Sequence, residues 1–198
     1  MGQLRRADVL RGARDLLDDE GLDAFTMRRL GSRLDVRAGA LYWHFPNKQA
    51  LLEAVADDLM TGVGDDLPDA PWPEQVTALA VALRRALLSV RDGARLIGET
   101  FVTDTNHVFL GETAVRILTQ AGLPPDRAAW TLFVLAHYIL GNTIEEQTRR
   151  QTPPGELTAK LATGGPLAAL ADADPDERFL YGVHLIIDGI RHQLSHPS

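Results

Sequence analysis

At 198 residues, with 45% hydrophobic and 24% charged side chains, the chain can bury a substantial core, and no window approaches the roughly 18–20 uninterrupted apolar residues of a membrane span. The absence of cysteine excludes disulfides, thiolate metal sites and cysteine nucleophiles and fits a cytoplasmic protein without a leader segment. The net charge of −7 is uneven, with nine Lys/Arg against seven Asp/Glu in residues 1–50 and eleven against twenty in residues 51–198; screening within about 8–10 Å lets a mildly basic front meet a polyanion despite an acidic rear.

Helical periodicity dominates and strand-like alternation is nearly absent, so the fold class is all-α. Leu10, Ala13 and Leu17 stripe a first helix near 4–20. Two short helices near 27–34 and 38–44 follow, then one near 47–62 carrying Leu51, Leu52, Val55 and Leu59. The stretch Gly64–Pro73, rich in Asp and Pro, breaks the pattern. It separates a front domain, 1–63, ending in a connecting helix, from a rear domain, 64–198. In the rear, Val76, Leu79, Ala80, Leu83, Leu87 and Val90 stripe a helix near 74–91. Further helices are predicted near 94–101, 105–121, 125–149 and 176–194, with a short one around Leu157–Leu161 inside the irregular stretch Thr152–Asp176. Leu132–Ala136, Tyr138–Leu140 and Leu185–Ile187 are apolar nearly all round their helices, which suits either a dimer seam or a helix buried in a monomer's core.

The informative segment runs from Thr26 to Lys48. Thr26 is placed to cap one short helix, Leu30 and Leu34 supply its buried stripe, and Leu34–Asp35–Val36 turns the chain into a second. That second helix, entered through Arg37, opens with Ala38, Gly39 and Ala40, small enough to approach base edges, and closes with Tyr42, Trp43 and His44, which can meet the sugar-phosphate wall. Arg28 and Arg29 can reach the backbone or a guanine edge, a contact that discriminates by about 1–3 kcal/mol. Each could equally be a solvated charge. Pro46 ends the second helix, Asn47 starts the next, and Lys48 sits in its first turn, where free N–H groups favour a phosphate.

These residues, above all Ala40–Leu41–Tyr42–Trp43–His44 and Asn47–Lys48–Gln49–Ala50–Leu51–Leu52, resemble the tetracycline-repressor family of regulators. The likeness continues in Arg85–Arg95, Leu140–Gln147 and Phe179–Gly189. It implies a homodimer joined by a four-helix bundle, binding double-stranded operator DNA through the amino-terminal domain and a small-molecule effector in the rear domain. In members that bind a drug–magnesium chelate, a histidine after the Arg-Asp-Gly-Ala run, a threonine and a partner-subunit glutamate hold it. Those positions align with Ile97, Thr100 and Glu145. Isoleucine has no lone pair for a cation, so the effector is expected not to be tetracycline–magnesium, and no metal or other cofactor is expected. Leu79, Leu83, Ile97 and Phe101 are candidate apolar lining, with Thr100, Asn106, His107 and Glu145 as candidate polar anchors. Leu79 and Leu83 would equally serve as core, and His107, His137 and Trp130 as structural residues. Arg37 stands where the relatives carry an acidic residue, and Ala38–Gly39–Ala40 lacks their base-reading amide, so the operator sequence should differ too.

No Gly-rich phosphate loop, metal-ligand spacing or serine nucleophile motif is present, and enzyme chemistry is not expected. The expected function is a repressor released from a palindromic operator by its effector. An activator or a co-repressor-dependent regulator has the same signature, and a helical adaptor using the Tyr42–Phe45 patch is the third class.

Overall fold

The computed structural model describes residues 4–100, 105–152 and 173–196, which contain α-helices and no strand. No helix among them is long and apolar enough to cross a membrane. The short helix expected around Leu157–Leu161 lies outside the described residues. The helices are α1 (Arg6–Glu20), α2 (Met27–Arg33), α3 (Ala38–Leu41), α4 (Lys48–Leu59), α5 (Trp72–Leu88), α6 (Gly93–Glu99), α7 (Thr105–Gln120), α8 (Pro125–Gln151) and α9 (Pro175–Ser195). They form two compact units, Met1–Val63 with Arg85–Leu110, and Gly64–Arg84 with Gly111–Ser198. The break expected at residue 64 is thus one of several, because 85–100 and 105–110 group with the front.

In the first unit, α1 turns its Val9–Ala13–Leu16–Leu17 stripe inward. Leu10, expected in that stripe, is only half-buried. The stripe belongs to the same core as Leu30, Leu41, Phe45, Leu51 and Val55, all at most 2% exposed, and each large side chain so buried favours folding by roughly 1.5–3 kcal/mol. Helix starts follow from side chains that accept otherwise unpaired N–H groups. Thr26 Oγ1 accepts from the Arg29 N–H at 3.2 Å, and Asn47 Oδ1 accepts from the Ala50 N–H at 2.8 Å. The helix expected over 38–44 is regular only to Leu41, and Tyr42–His44 continue as a turn in which both the His44 and Phe45 N–H groups bond the Leu41 carbonyl. Pro46 disfavours helical geometry in the residue before it and so stops the helix early.

In the second unit, α8 and α9 pack through Leu135, Ile139 and Thr143 on one side and Phe179, Val183, Ile187 and Ile190 on the other, all buried. The Tyr138 hydroxyl donates to the Phe179 carbonyl at 2.9 Å. Burial raises the Tyr138 pKa, against the lowering influence of Arg178, a backbone N–H and Arg84. Arg84 of α5 is buried beside them. Its Nε and Nη2 donate to Glu146 Oε2 at 3.1 and 2.7 Å, and its Nη1 donates to Asp176 Oδ1 at 2.7 Å. Its guanidinium carbon stands 4.8 Å from the Phe179 ring centre. Burial opposes the Arg84 charge, but the hydrogen bonds and charges of Asp176 and Glu146 outweigh it and its pKa is raised.

Candidate nucleic-acid interface and effector residues

Three short segments create the exposed face of the front unit. Asp35 takes a left-handed conformation, φ 54°, which Asp tolerates better than most non-glycine residues, and the Val36 N–H closes onto the Gly31 carbonyl at 2.9 Å. A Cβ at Gly31 would sit 2.9 Å from the Val36 oxygen and 3.1 Å from the Ala38 nitrogen, so a glycine here is what lets α3 approach α2. Leu41 and Phe45 then anchor α3 in the core, with the Arg6 guanidinium 4.5 Å from the Phe45 ring centre. The opposite side presents Arg37, Gly39, Tyr42 and Trp43 outward, with Tyr42 50% and Trp43 90% exposed. Beside it, Glu20, Thr26, Arg28, Arg29, Ser32 and Arg33 line an open groove of about 760 Å³.

The basic groups on this face are not equivalent. Arg29 is ion-paired with Glu20, and Arg33 with Asp19 at 2.7 Å. Lys48 donates from Nζ to the Phe25 carbonyl at 2.8 Å and stands 5.6 Å from the Phe25 ring centre. That bond uses one of the ammonium's three donors. The exposed Arg28 and Arg37 side chains have no hydrogen-bond or ionic partner among the described residues. Thr26 spends its hydroxyl as a cap, and Ala38, Ala40 and His44 are half-buried.

The expected effector residues fall into both units, and each polar one with a described side chain already has an internal partner. In the second unit, Leu79 is buried in the core, Leu83 is half-buried, and Glu145 accepts from Arg149 and Arg178, each at 3.0 Å. In the first, Ile97 is half-buried, and the Thr100 hydroxyl donates to the Leu96 carbonyl at 2.8 Å. The Asn106 amide donates to Asp57 Oδ2 at 3.0 Å, to the Asp57 carbonyl at 3.1 Å and to Thr61 Oγ1 at 3.3 Å, while Asp57 Oδ1 accepts the Asn106 N–H at 3.0 Å. Phe101 lies outside the described residues, as does the side chain of His107.

Sequence reasoning missed a polar seam along α1. Ser89 Oγ accepts from Arg14 at 3.1 Å, the Arg91 N–H donates to Asp18 at 2.9 Å, and Asp92 Oδ2 accepts the Leu22 N–H at 2.9 Å. Arg95 forks onto Asp23 at 2.6 and 2.9 Å, and that hydrogen bond, with the Arg95 charge, lowers the Asp23 pKa. Gly93 completes the turn, since a Cβ there would lie 2.3 Å from the Leu87 carbonyl oxygen. The available signal is the family resemblance over Arg85–Arg95, the stretch that supplies Ser89, Arg91, Asp92 and Arg95 to this seam.

A helix-turn-helix head with an exposed aromatic-tipped second helix, followed by a larger helical unit, defines a two-part transcription regulator. Residues 9–55 match the family model for bacterial regulatory proteins of the tetR family, and residues 65–194 match the tetracycline-repressor-like carboxy-terminal domain. The chain belongs to the tetR family of bacterial regulatory proteins. It is 32% identical to the class C tetracycline repressor protein of Escherichia coli over 202 residues, covering 96% of this chain and 92% of the relative. Among solved structures, a possible TetR family regulator from Streptomyces coelicolor A3(2) superimposes with a TM-score of 0.87 at 37% identity, over 95% of this chain and 99% of that one. BioQ with its double-stranded DNA operator gives a TM-score of 0.76 at 35% identity, over 98% and 100% of the two chains.

Proposed function

We propose that this protein is a cytoplasmic, non-enzymatic repressor that binds a palindromic operator as a homodimer and is released by a small molecule other than tetracycline–magnesium. The observation that carries the operator reading is the exposure of Trp43 and Tyr42 on residues 4–63, where every other large apolar side chain is buried or half-buried. A free head gains nothing by presenting an indole 90% exposed, whereas a duplex groove wall would cover it. Two such heads about 34–36 Å apart meet two half-sites of a twofold operator. Arg28, Arg29, Arg37, Tyr42, His44 and Lys48 are the residues proposed to contact DNA, with Thr26 holding α2 and Ala38 and Ala40 against the bases.

The Escherichia coli relative is a tetracycline repressor, whereas the residues here do not fit a drug–magnesium chelate. The Ile97 side chain is hydrocarbon, the Thr100 hydroxyl is bonded to Leu96, and Glu145 lies between two arginines. Leu79 and Leu83, both in the second unit, favour an apolar effector. Switching the head from 99:1 to 1:99 needs about 5.5 kcal/mol of differential effector affinity.

Selection of bound fragments from random duplex DNA by the purified protein tests the operator reading. The selected duplex should bind with steep salt dependence, and Trp43→Ala should weaken it at least about tenfold while leaving the helical content intact. Enrichment of no sequence refutes this function. Titration calorimetry with tetracycline and magnesium should give no heat of tight binding, and a tight magnesium-dependent isotherm would refute the effector reading alone.

A further inference from the structure

We propose that Arg37 selects a guanine at one position in each operator half-site and is this chain's main specificity determinant on α3. The inference rests on the reading that α2 and α3 bind operator DNA. The leading face of α3 is Ala38, Gly39 and Ala40. None of these side chains has a donor or an acceptor, and at Gly39 even an added Cβ would meet nothing within 4 Å. Alanine methyls can contact a thymine methyl, but they cannot tell guanine from adenine by hydrogen bonding. Discrimination at the start of α3 therefore falls to the residue in front of it.

Arg37 has the chemistry and the freedom for that task. It is exposed, its backbone is extended (φ −70°, ψ 141°) at the junction into α3, and its side chain makes no cap bond. The Gly31–Val36 closure fixes the backbone just before it, so a flexible side chain starts from a rigid base. Its competitors are engaged. Arg29 is held by Glu20, Arg33 by Asp19, and Lys48 bonds the Phe25 carbonyl. Arg28 is the other basic residue of α2 and α3 without a hydrogen-bond or ionic partner among the described residues, but it stands on α2 and would address a different position. A guanidinium fork matches guanine O6 and N7 bidentately, and a side-chain amide in its place matches adenine N6 and N7.

The test uses the full chain and the duplex it selects from a random library. Affinities for single-base variants of that duplex are measured for the native protein, Arg37→Ala and Arg37→Gln, each across a salt series. The native protein should prefer guanine at one half-site position by about five- to 150-fold. Arg37→Ala should erase that preference and keep the others, while Arg37→Gln should move it toward adenine. Unchanged base preferences in Arg37→Ala, with the slope of log affinity against log salt reduced by about one, would mean a phosphate contact and overturn the proposal. If the native protein selects no duplex, the operator reading fails first and takes the proposal with it. Unchanged thermal unfolding of both variants confirms that the exposed side chain is not a structural support.

Discussion

Lys48 shows how one residue can serve both the fold and the site. Its ammonium bonds the Phe25 carbonyl, 23 positions earlier, and so ties the first turn of α4 to the loop that launches α2. Two donors remain for a phosphate. Lys48→Met should therefore lower stability by about 1.5 kcal/mol, the size of a hydrogen bond to a charged group, measured as a drop in denaturant midpoint. It should also reduce the salt slope of operator binding by about one. A slope change without a stability change would mean that the Phe25 contact contributes nothing. A lysine after a helix start was legible as a phosphate ligand because that argument is local. Its carbonyl partner was not, since no periodicity marks a contact across a turn. The same limit applies to Arg28, Arg29 and Arg33, alike in sequence but divided by acidic residues on α1 into two that are paired and one without a partner among the described residues.

Helices were legible wherever one face repeats at i, i+3 and i+4, as along α4 and α5, because burial of that stripe drives them. What joins the elements was harder to read. The contact between Leu22 and Asp92 spans 70 positions and the link between Asp57 and Asn106 spans 49; both depend on a few polar atoms, which carry no pattern. The Asp57–Asn106 link matters because it binds the last turns of α4 to the first turn of α7. Asn106 was expected to face an effector, yet its amide is committed to Asp57 and Thr61. Asn106→Ala should cost about 1–2 kcal/mol and raise amide hydrogen exchange selectively over 57–61 and the start of α7. Uniform exchange across the chain would show that the two helices are not coupled there. The short α3 ends three residues before the sequence pattern predicts, since its hydrogen bonds, unlike its sequence, reveal where Pro46 takes effect.

At the scale of the whole molecule, the second unit combines an internal constraint with an unfinished surface. The constraint is the Arg84–Glu146 pair, which no sequence pattern announces, because Arg84 adjoins Arg85 and Glu146 adjoins Glu145 and nothing local tells which of each like-charged pair is buried. Arg84→Met would leave Glu146 buried, with Arg150 as its remaining ionic partner among the described residues, and should cost about 3 kcal/mol, whereas Arg84→Met with Glu146→Leu should recover most of it. Additive losses in that double-mutant cycle would refute a direct pairing. The unfinished surface lies on the backs of α8 and α9. Phe133 and Val134 are 66% and 58% exposed, and Tyr181 and Leu185 are 67% and 56% exposed. Trp130, read as a packing residue, is 59% exposed with the Arg127 guanidinium 4.9 Å from its ring. The all-round apolar stretches of these helices left a monomer core and a dimer seam open. One chain buries the Leu135–Ile139 side and exposes the other, so the surplus apolar side calls for a partner. In the homodimer proposed above, a second copy covers it. Phe133→Glu places a charge where that partner would strip its water, at a cost an unpaired carboxylate cannot recover, yet the residue lies outside the single-chain core. The variant should keep its helical circular dichroism, sediment as one chain where the native protein sediments as two, and lose the operator affinity that depends on two heads acting together. If it remains dimeric, the seam lies elsewhere.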